Sequence, residues 1–257
     1  MLDTEQDLSY IENIVPKTSF LKREPMPRRR DNDQHDAMRR KILSVARQQM
    51  QEFGTAGLGM RNIAREIDIV PSGLYRYYRD LDDVITALIL EAFTSLAEAL
   101  EAASGSTSPD DYAGRLLAVL MAYRVWALQN PTDFQLIYGN PIPGYKAPTQ
   151  MTRRAARRGF RVVVQIIDAA MTAGVITPPA EYQQLPEAVI ANLKDVASQE
   201  DYQGSPVVIC LATVGWARIH GFVILELLNN IQPLVGDAAA FYQVEIRALL
   251  RQLGFKS

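Results

Sequence analysis

Residues 39–85, RRKILSVARQQMQEFGTAGLGMRNIAREIDIVPSGLYRYYRDLDDVI, leave the chain few ways to fold. Ile42, Val45, Ala46, Met50 and Phe53 recur at the spacing of a helix with one face turned to a core. Gly54 follows them as a left-handed stop. Met60, Ile63, Ala64 and Ile67 then mark a second, short helix, with Arg61 and Arg65 outside its apolar face. Ala64 is small enough for two helices to cross closely. Pro71 stands where a third helix begins, at the position where its missing N–H costs nothing. Leu74 and Tyr78 share the inner face of that helix, which leaves Ser72, Gly73, Arg76, Tyr77 and Arg79 for another surface. Asp80, with Asp83 three residues later, forms a capping box for a fourth helix.

A helix, a short helix, a tight turn and another short helix make the layout of a helix-turn-helix, whose second short helix enters the major groove of DNA. The surface chemistry agrees. Tyr and Ser hydroxyls and Arg guanidinium groups are common phosphate partners, and Arg is the usual bidentate reader of guanine. Taken singly, Tyr77 or Arg79 is an ordinary solvated side chain; the combination is what points to DNA. The residues expected to meet it are Met60, Arg61, Pro71, Ser72, Gly73, Tyr75, Arg76, Tyr77 and Arg79.

From about Asp36 to Ile85 the segment resembles the DNA-binding domain of the TetR (tetracycline-repressor) family of transcriptional regulators. The resemblance rests on I-L-x-x-A-x-x-x-x-x-x-x-G in the first helix, R-x-I-A in the second and G-L-Y-x-Y-Y in the third. It implies that Tyr75 belongs to the recognition helix and that Tyr77 contacts phosphate. Three positions depart from the family pattern: Asp68 replaces the usual Gly of the turn, Val70 the usual Ser cap, and Leu81 the usual Lys near the start of helix four. The last removes one phosphate contact, so weaker non-specific binding is expected.

The net charge of −2 is not that of a typical nucleic-acid binder until it is divided. Residues 22–79 hold 13 basic and 7 acidic residues, while residues 1–21 and 80–257 are both net acidic. Such asymmetry is the electrostatic footprint of a nucleic-acid contact confined to one domain. With 257 residues, 48% of them hydrophobic, the chain has material for a small and a medium domain. No apolar run approaches the length of a membrane span, and no basic-then-apolar signal pattern opens the sequence. A single cysteine, Cys210, excludes a disulfide framework within the subunit. These features point to the cytosol and away from a membrane.

Residues 1–35 show no sustained helical pattern and read as a flexible tail, in which LSYIENIV could form one short turn of helix. Arg28, Arg29 and Arg30 carry an alternative, a basic arm reaching into the minor groove. Past Leu90 the pattern is helix after helix, with the spacing predicting 81–103, 109–129, 132–138, 149–173, 185–196, 206–229 and 237–253. Ser108-Pro109-Asp110-Asp111 and Ser205-Pro206 read as caps followed by Pro at the first helical position, and Gly174 stops the long helix before VITPP. The fold class is all-α: a three-helix helix-turn-helix domain at 36–82 after the tail at 1–35, then a helical-bundle domain at 83–257.

In GWARIHGFVILEL, Trp216, His220 and Gly221 are similar to the W-x-x-x-H-G signature of the WHG-type C-terminal domain found on some TetR regulators. Trp216 and His220 share a helix face, and Gly221 would admit a second helix closely. The resemblance implies that the last two long helices pair with their copies, which places Trp216, His220 and Gly221 at a dimer interface, with His220 read as a satisfied interface or core histidine rather than a ligand or metal site. A pocket for a small-molecule effector is expected among helices 81–173. Tyr123, Trp126, Phe134, Tyr138 and Met171 are candidates to line it, with the loop GNPIPGYKAP as a rim. Arg153, Arg154, Arg157, Arg158 and Arg161 form a basic stripe, read as a solvated or ion-paired face, with anion recognition as the sharper alternative. Two histidines cannot supply a multi-histidine metal site, no cofactor motif is present, and Cys210 has no partner set for catalysis, so no enzyme is expected. What the resemblance implies is a ligand-responsive homodimeric regulator, most simply a repressor, of palindromic operator DNA. The rival is a diverged relative that acts through protein partners without operator binding.

Overall fold

The structure, a computed structural model, describes residues 28–199 and 202–255. All regular elements among the described residues are helical. In chain order they are α1 (Arg28–Phe53), a 3-10 turn (Thr55–Gly57), α2 (Met60–Glu66), α3 (Pro71–Leu74), α4 (Leu81–Gly105), α5 (Tyr112–Gln129), α6 (Pro131–Tyr138), α7 (Thr149–Thr172), α8 (Ala180–Gln183), α9 (Glu187–Gln199), α10 (Pro206–Leu227), α11 (Gln232–Val235) and α12 (Ala238–Gln252). The chain divides into two compact units, Met1–Arg40 and Lys41–Ser257. The described part of the first is the start of α1. The tail expected over 1–35 is instead helical from Arg28 to His35, where α1 runs without a proline or glycine from Arg28 to Phe53. Residues 1–27, including LSYIENIV, lie outside the described residues.

Within the second unit, α1 buries Ile42, Leu43, Ala46 and Met50, as its spacing requires, but Phe53 is 66% exposed at the helix end. Gly54 takes φ +67° and ψ −174°, a conformation closed to side chains with a Cβ, and so ends α1 where the sequence said it would. In the tight turn, Asp68 adopts φ +59°, the left-handed conformation that a Gly would accept freely. Asp tolerates this region better than most residues, and the turn is closed by Asp68 N–H to the Arg65 carbonyl (3.3 Å) and Ile69 N–H to the Ala64 carbonyl (3.0 Å). Replacing Asp68 with Gly should change stability by less than about 1 kcal/mol, while Asp68→Val should cost about 1–3 kcal/mol because a β-branched side chain is forced into strain. Urea unfolding measures both, and equal stabilities for the two variants would refute the argument.

The caps decide the helix starts. Asp80 accepts from the Asp83 N–H at 2.8 Å, while the Asp83 carboxylate reaches back to the N–H of Arg79 at 3.1 Å, one residue earlier than a capping box would place it. Ser205 caps α10 with Pro206 at its first position, as expected. Helix α5 starts at Tyr112 instead of 109: Asp111 accepts from Gly114 N–H at 2.8 Å, and Pro109 and Asp110 are spent in a turn closed by Asp111 N–H to the Ser108 carbonyl. Gly174, at φ +69°, follows the end of α7. The one-turn helices α8 and α11 escape the periodicity because they are too short to show any.

Helices α4, α5, α7, α10 and α12 pack around one core, with α6 laid against α4 and α5. Val84, Ile85, Leu88, Ile89, Ala92, Phe93, Leu96, Ala97 and Leu100 form the buried side of α4. Gly159 of α7 faces α4, where a Cβ would stand in ordinary contact with Leu100 Cδ1 (3.4 Å) and Ala97 Cα (3.7 Å). Helix α12 is tied down by the Tyr242 hydroxyl, which donates to the Leu120 carbonyl at 2.8 Å. One expectation is corrected here: α10, 22 residues with a mean hydropathy of 1.8 across its most apolar stretch, is by length and composition able to span a membrane. Val208, Leu211, Ala212, Ile219 and Val223 bury one side of it in the bundle core, while more than half of that stretch stays partly or fully exposed. A core helix satisfies the same length and composition test.

Candidate nucleic-acid interface and internal cavity

The segment from α2 to the start of α4 sorts its side chains as a reader must. Ile63, Ala64, Ile67, Leu74 and Tyr78 are buried and hold the short helices together. Arg61, Pro71, Ser72, Tyr75, Arg76 and Arg79 are exposed, and Met60, Gly73 and Tyr77 are half-buried. Helix α3 is a single turn continued by Tyr77 N–H and Tyr78 N–H bonding to the Leu74 carbonyl. Arg79 is engaged in an ion pair: its Nε and Nη2 donate to the two carboxylate oxygens of Asp83 at 2.7 and 2.6 Å. Hydrogen bonding to Asp83 raises its pKa above the ordinary guanidinium value.

The bundle holds a cavity of about 340 Å³ lined from α4, α5, α6, α7, α10 and α12. Tyr123 and Tyr138 line it as expected; Trp126, Phe134 and Met171 do not. Trp126 is buried with its indole N–H donated to Ser95 Oγ at 3.0 Å. Phe134 is buried behind the wall, stacked on the His220 ring, and Met171 packs against the core. The pocket expected among helices 81–173 thus takes much of its wall from α10 and α12, through Leu211, Gly215, Ile219, Leu249 and Leu253. The loop expected as its rim contributes no lining residue; Tyr145 of that loop instead hydrogen-bonds Thr86 on α4 at 2.9 Å.

Trp216 and His220, expected at an interface between copies, face their own subunit's interior. Trp216 lines the cavity. The His220 ring lies 4.9 Å from those of both Trp216 and Tyr138, and its Nδ1 is 2.6 Å from the Tyr123 hydroxyl. The i, i+4 pair does share a face, and that face turns toward α5 and α6. Burial pushes the Tyr138 hydroxyl up to about 12 and lowers the His220 pKa, so this cluster is uncharged at neutral pH. Gly221, by contrast, has no neighbouring atom within 4 Å of the place a Cβ would occupy.

Two features escaped the sequence reading. Arg157, one of the basic stripe, lines the cavity, with Nη2 3.4 Å from Gln199 Oε1, while Arg158 forms a bidentate pair with Glu101 at 2.7 and 2.6 Å. Arg157 and Arg158, neighbours in the stripe, thus differ: one lines the cavity and the other pairs at the surface. The second is Arg47 of α1, which donates from Nε to Asp133 Oδ1 at 2.7 Å and from Nη2 to Glu91 Oε2 at 3.2 Å. Asp133 is buried in the first turn of α6, the same helix that carries Tyr138 to the cavity.

Comparison with known proteins agrees with this geometry. Residues 42–88 match the family described as bacterial regulatory proteins, tetR family, and residues 116–249 match the tetracyclin repressor-like C-terminal domain. HTH-type transcriptional regulators of Mycobacterium tuberculosis (strain H37Rv) and Mycobacterium bovis are 29% identical over 224 residues, spanning 86% of this chain and 94% of each relative. The crystal structure of the regulatory protein SCO4313 superposes with a TM-score of 0.71 at 29% identity, covering 89% of this chain and all of that one. A tetR-family regulatory protein from Rhodococcus RHA1 shares the fold, with a TM-score of 0.58 at 18% identity over 85% of this chain and 98% of that one. The mycobacterial relatives are HTH-type transcriptional regulators by name. Matched at its helix-turn-helix and across more than half of its length by the C-terminal domain, the chain belongs to the TetR family of transcriptional regulators.

Proposed function

We propose that the protein is a homodimeric, ligand-responsive repressor, working in the cytoplasm, that binds palindromic operator DNA through Arg61, Pro71, Ser72, Gly73, Tyr75, Arg76, Tyr77 and Arg79, with Met60 beside them. Residues 36–82 act as the reader and 83–257 as the effector-binding and dimerisation body. The observation that carries the reading is the pairing of an exposed Tyr/Arg surface on packed short helices with an apolar cavity in the same chain. A small molecule of mostly apolar character fits such a cavity, oriented by Tyr123 and Tyr138.

Dimerisation is supported by what α10, α11 and α12 leave outside: Leu225, Leu228 and Val244 are exposed, Leu234 is 84% exposed, and Gly221 is open. A second copy would cover them, and a two-fold dimer would hold two α3 segments about one helical turn (roughly 34–36 Å) apart on DNA. The effector would change that spacing by binding one arrangement more tightly than the other. Two routes lead from the cavity to the reader. Helix α4 is lined up with both, and α6 carries Tyr138 at one end and the Asp133–Arg47 bond at the other.

Selection from a random duplex pool with purified protein at moderate salt tests the reading. An enriched inverted repeat, with affinity falling steeply as salt rises, is expected. A folded dimer that enriches nothing, with and without a library of apolar effectors, would overturn it in favour of action through protein partners.

A further inference from the structure

The residue preceding α3 is Val70, at φ −67° and ψ 141°, with Pro71 next and no side-chain hydrogen bond to the helix. Ser, Thr, Asn and Asp stabilise helices at this position, and Val cannot. Its side chain is not recovered by packing, since Val70 is 68% exposed. Gly73 leaves it uncovered from below: a Cβ there would stand 3.8 Å from Val70 Cγ2. The flanking Pro71 and Ser72 are themselves exposed and short. An apolar tip thus stands among the polar groups of the DNA-facing surface, neither capping the helix nor joining the core.

In the major groove, thymine is distinguished by its C5-methyl group, and apolar side chains recognise it by contact. We propose that Val70 reads the methyl group of one thymine in each operator half-site, and so fixes a base that the surrounding Ser, Tyr and Arg residues leave open. The assignment rests on the helix-turn-helix surface binding operator DNA.

The test uses the full-length protein and the consensus duplex recovered by selection, with each thymine replaced in turn by deoxyuridine, which removes only the methyl. One thymine per half-site should be sensitive in the wild type, with affinity falling about fourfold per half-site, the scale of one CH2-sized contact. Val70→Ala and Val70→Ser, both at an exposed position, should bind the thymine and uracil duplexes within a factor of about two of each other while still requiring the other consensus bases. Wild-type protein indifferent to every methyl would overturn the assignment, as would sensitivity that survives in Val70→Ala. A protein that yields no consensus duplex overturns the operator reading itself, a separate failure.

Discussion

Glu226→Ala is expected to destabilise the protein by about 3–5 kcal/mol, because it leaves a buried guanidinium without its counter-charge. Arg124 on α5 donates from Nε to Glu226 Oε2 at 2.7 Å and from Nη2 to Oε1 at 2.5 Å, with side-chain exposures of only 11% and 9%. The Tyr242 ring covers the guanidinium at 5.5 Å, so α5, α10 and α12 meet at this pair. Hydrogen bonding to Glu226 raises the Arg124 pKa, so the group stays charged throughout the accessible pH range and cannot escape the penalty by losing its proton. In thermal unfolding the loss should appear as roughly 6–20 °C at about 2–4 °C per kcal/mol. Replacing both partners, as Arg124→Met with Glu226→Leu, should recover much of the loss, since an apolar pair of similar volume has no charge to desolvate. A single variant that costs less than about 1 kcal/mol would show the pair to be effectively solvated.

The contrast between what the sequence announced and what it concealed has a physical basis. Ile42, Ile63 and Leu74 are buried where the helical period put them, Asp80 and Ser205 start helices and Gly174 follows the end of one, where their chemistry said they should. These are local effects, carried by residues within a turn of one another. Helix α10 is different. It is apolar nearly all round, and such a helix carries no stripe to say which face turns inward. That is why the sequence left His220 between an interface and a core place, and why its ring cluster with Trp216, Tyr123, Phe134 and Tyr138 could not be foreseen. A cavity is harder still to foresee, for it exists where side chains from six helices fail to fill the space between them. Arg157 carries no mark in the sequence that separates it from Arg158, yet one lines the cavity and the other pairs with Glu101. Arg47 and Asp133 are 86 residues apart, and nothing in either's neighbourhood names the other.

That last pair should matter most to regulation. Asp133→Asn keeps the shape of the side chain and removes the charge that holds Arg47 of α1 to the start of α6. The amide oxygen that takes the carboxylate's place can still accept one hydrogen bond, so the fold should survive, with a stability loss of about 1–3 kcal/mol from weakening a charge-assisted bond. Operator affinity in the absence of effector should remain within about threefold of wild type, because the pair joins α1 to α6, outside the segment from α2 to the start of α4. Effector affinity for the free protein should likewise hold, because Tyr138 and the cavity wall are untouched. What should fall is the coupling between them. If α6 carries the effector's influence to α1, the ratio of operator affinities without and with effector should drop by about fivefold or more, within the roughly 1–3 kcal/mol typical of coupling between sites. Arg47→Met, which also releases Glu91 on α4, should lose at least as much, and the double variant no more than Arg47→Met alone, since Asp133 acts through Arg47. The measurement is operator binding at zero and saturating effector for the wild type, both single variants and the double variant. Undiminished coupling in both single variants would assign transmission to α4 alone, the helix that runs from the reader into the cavity wall.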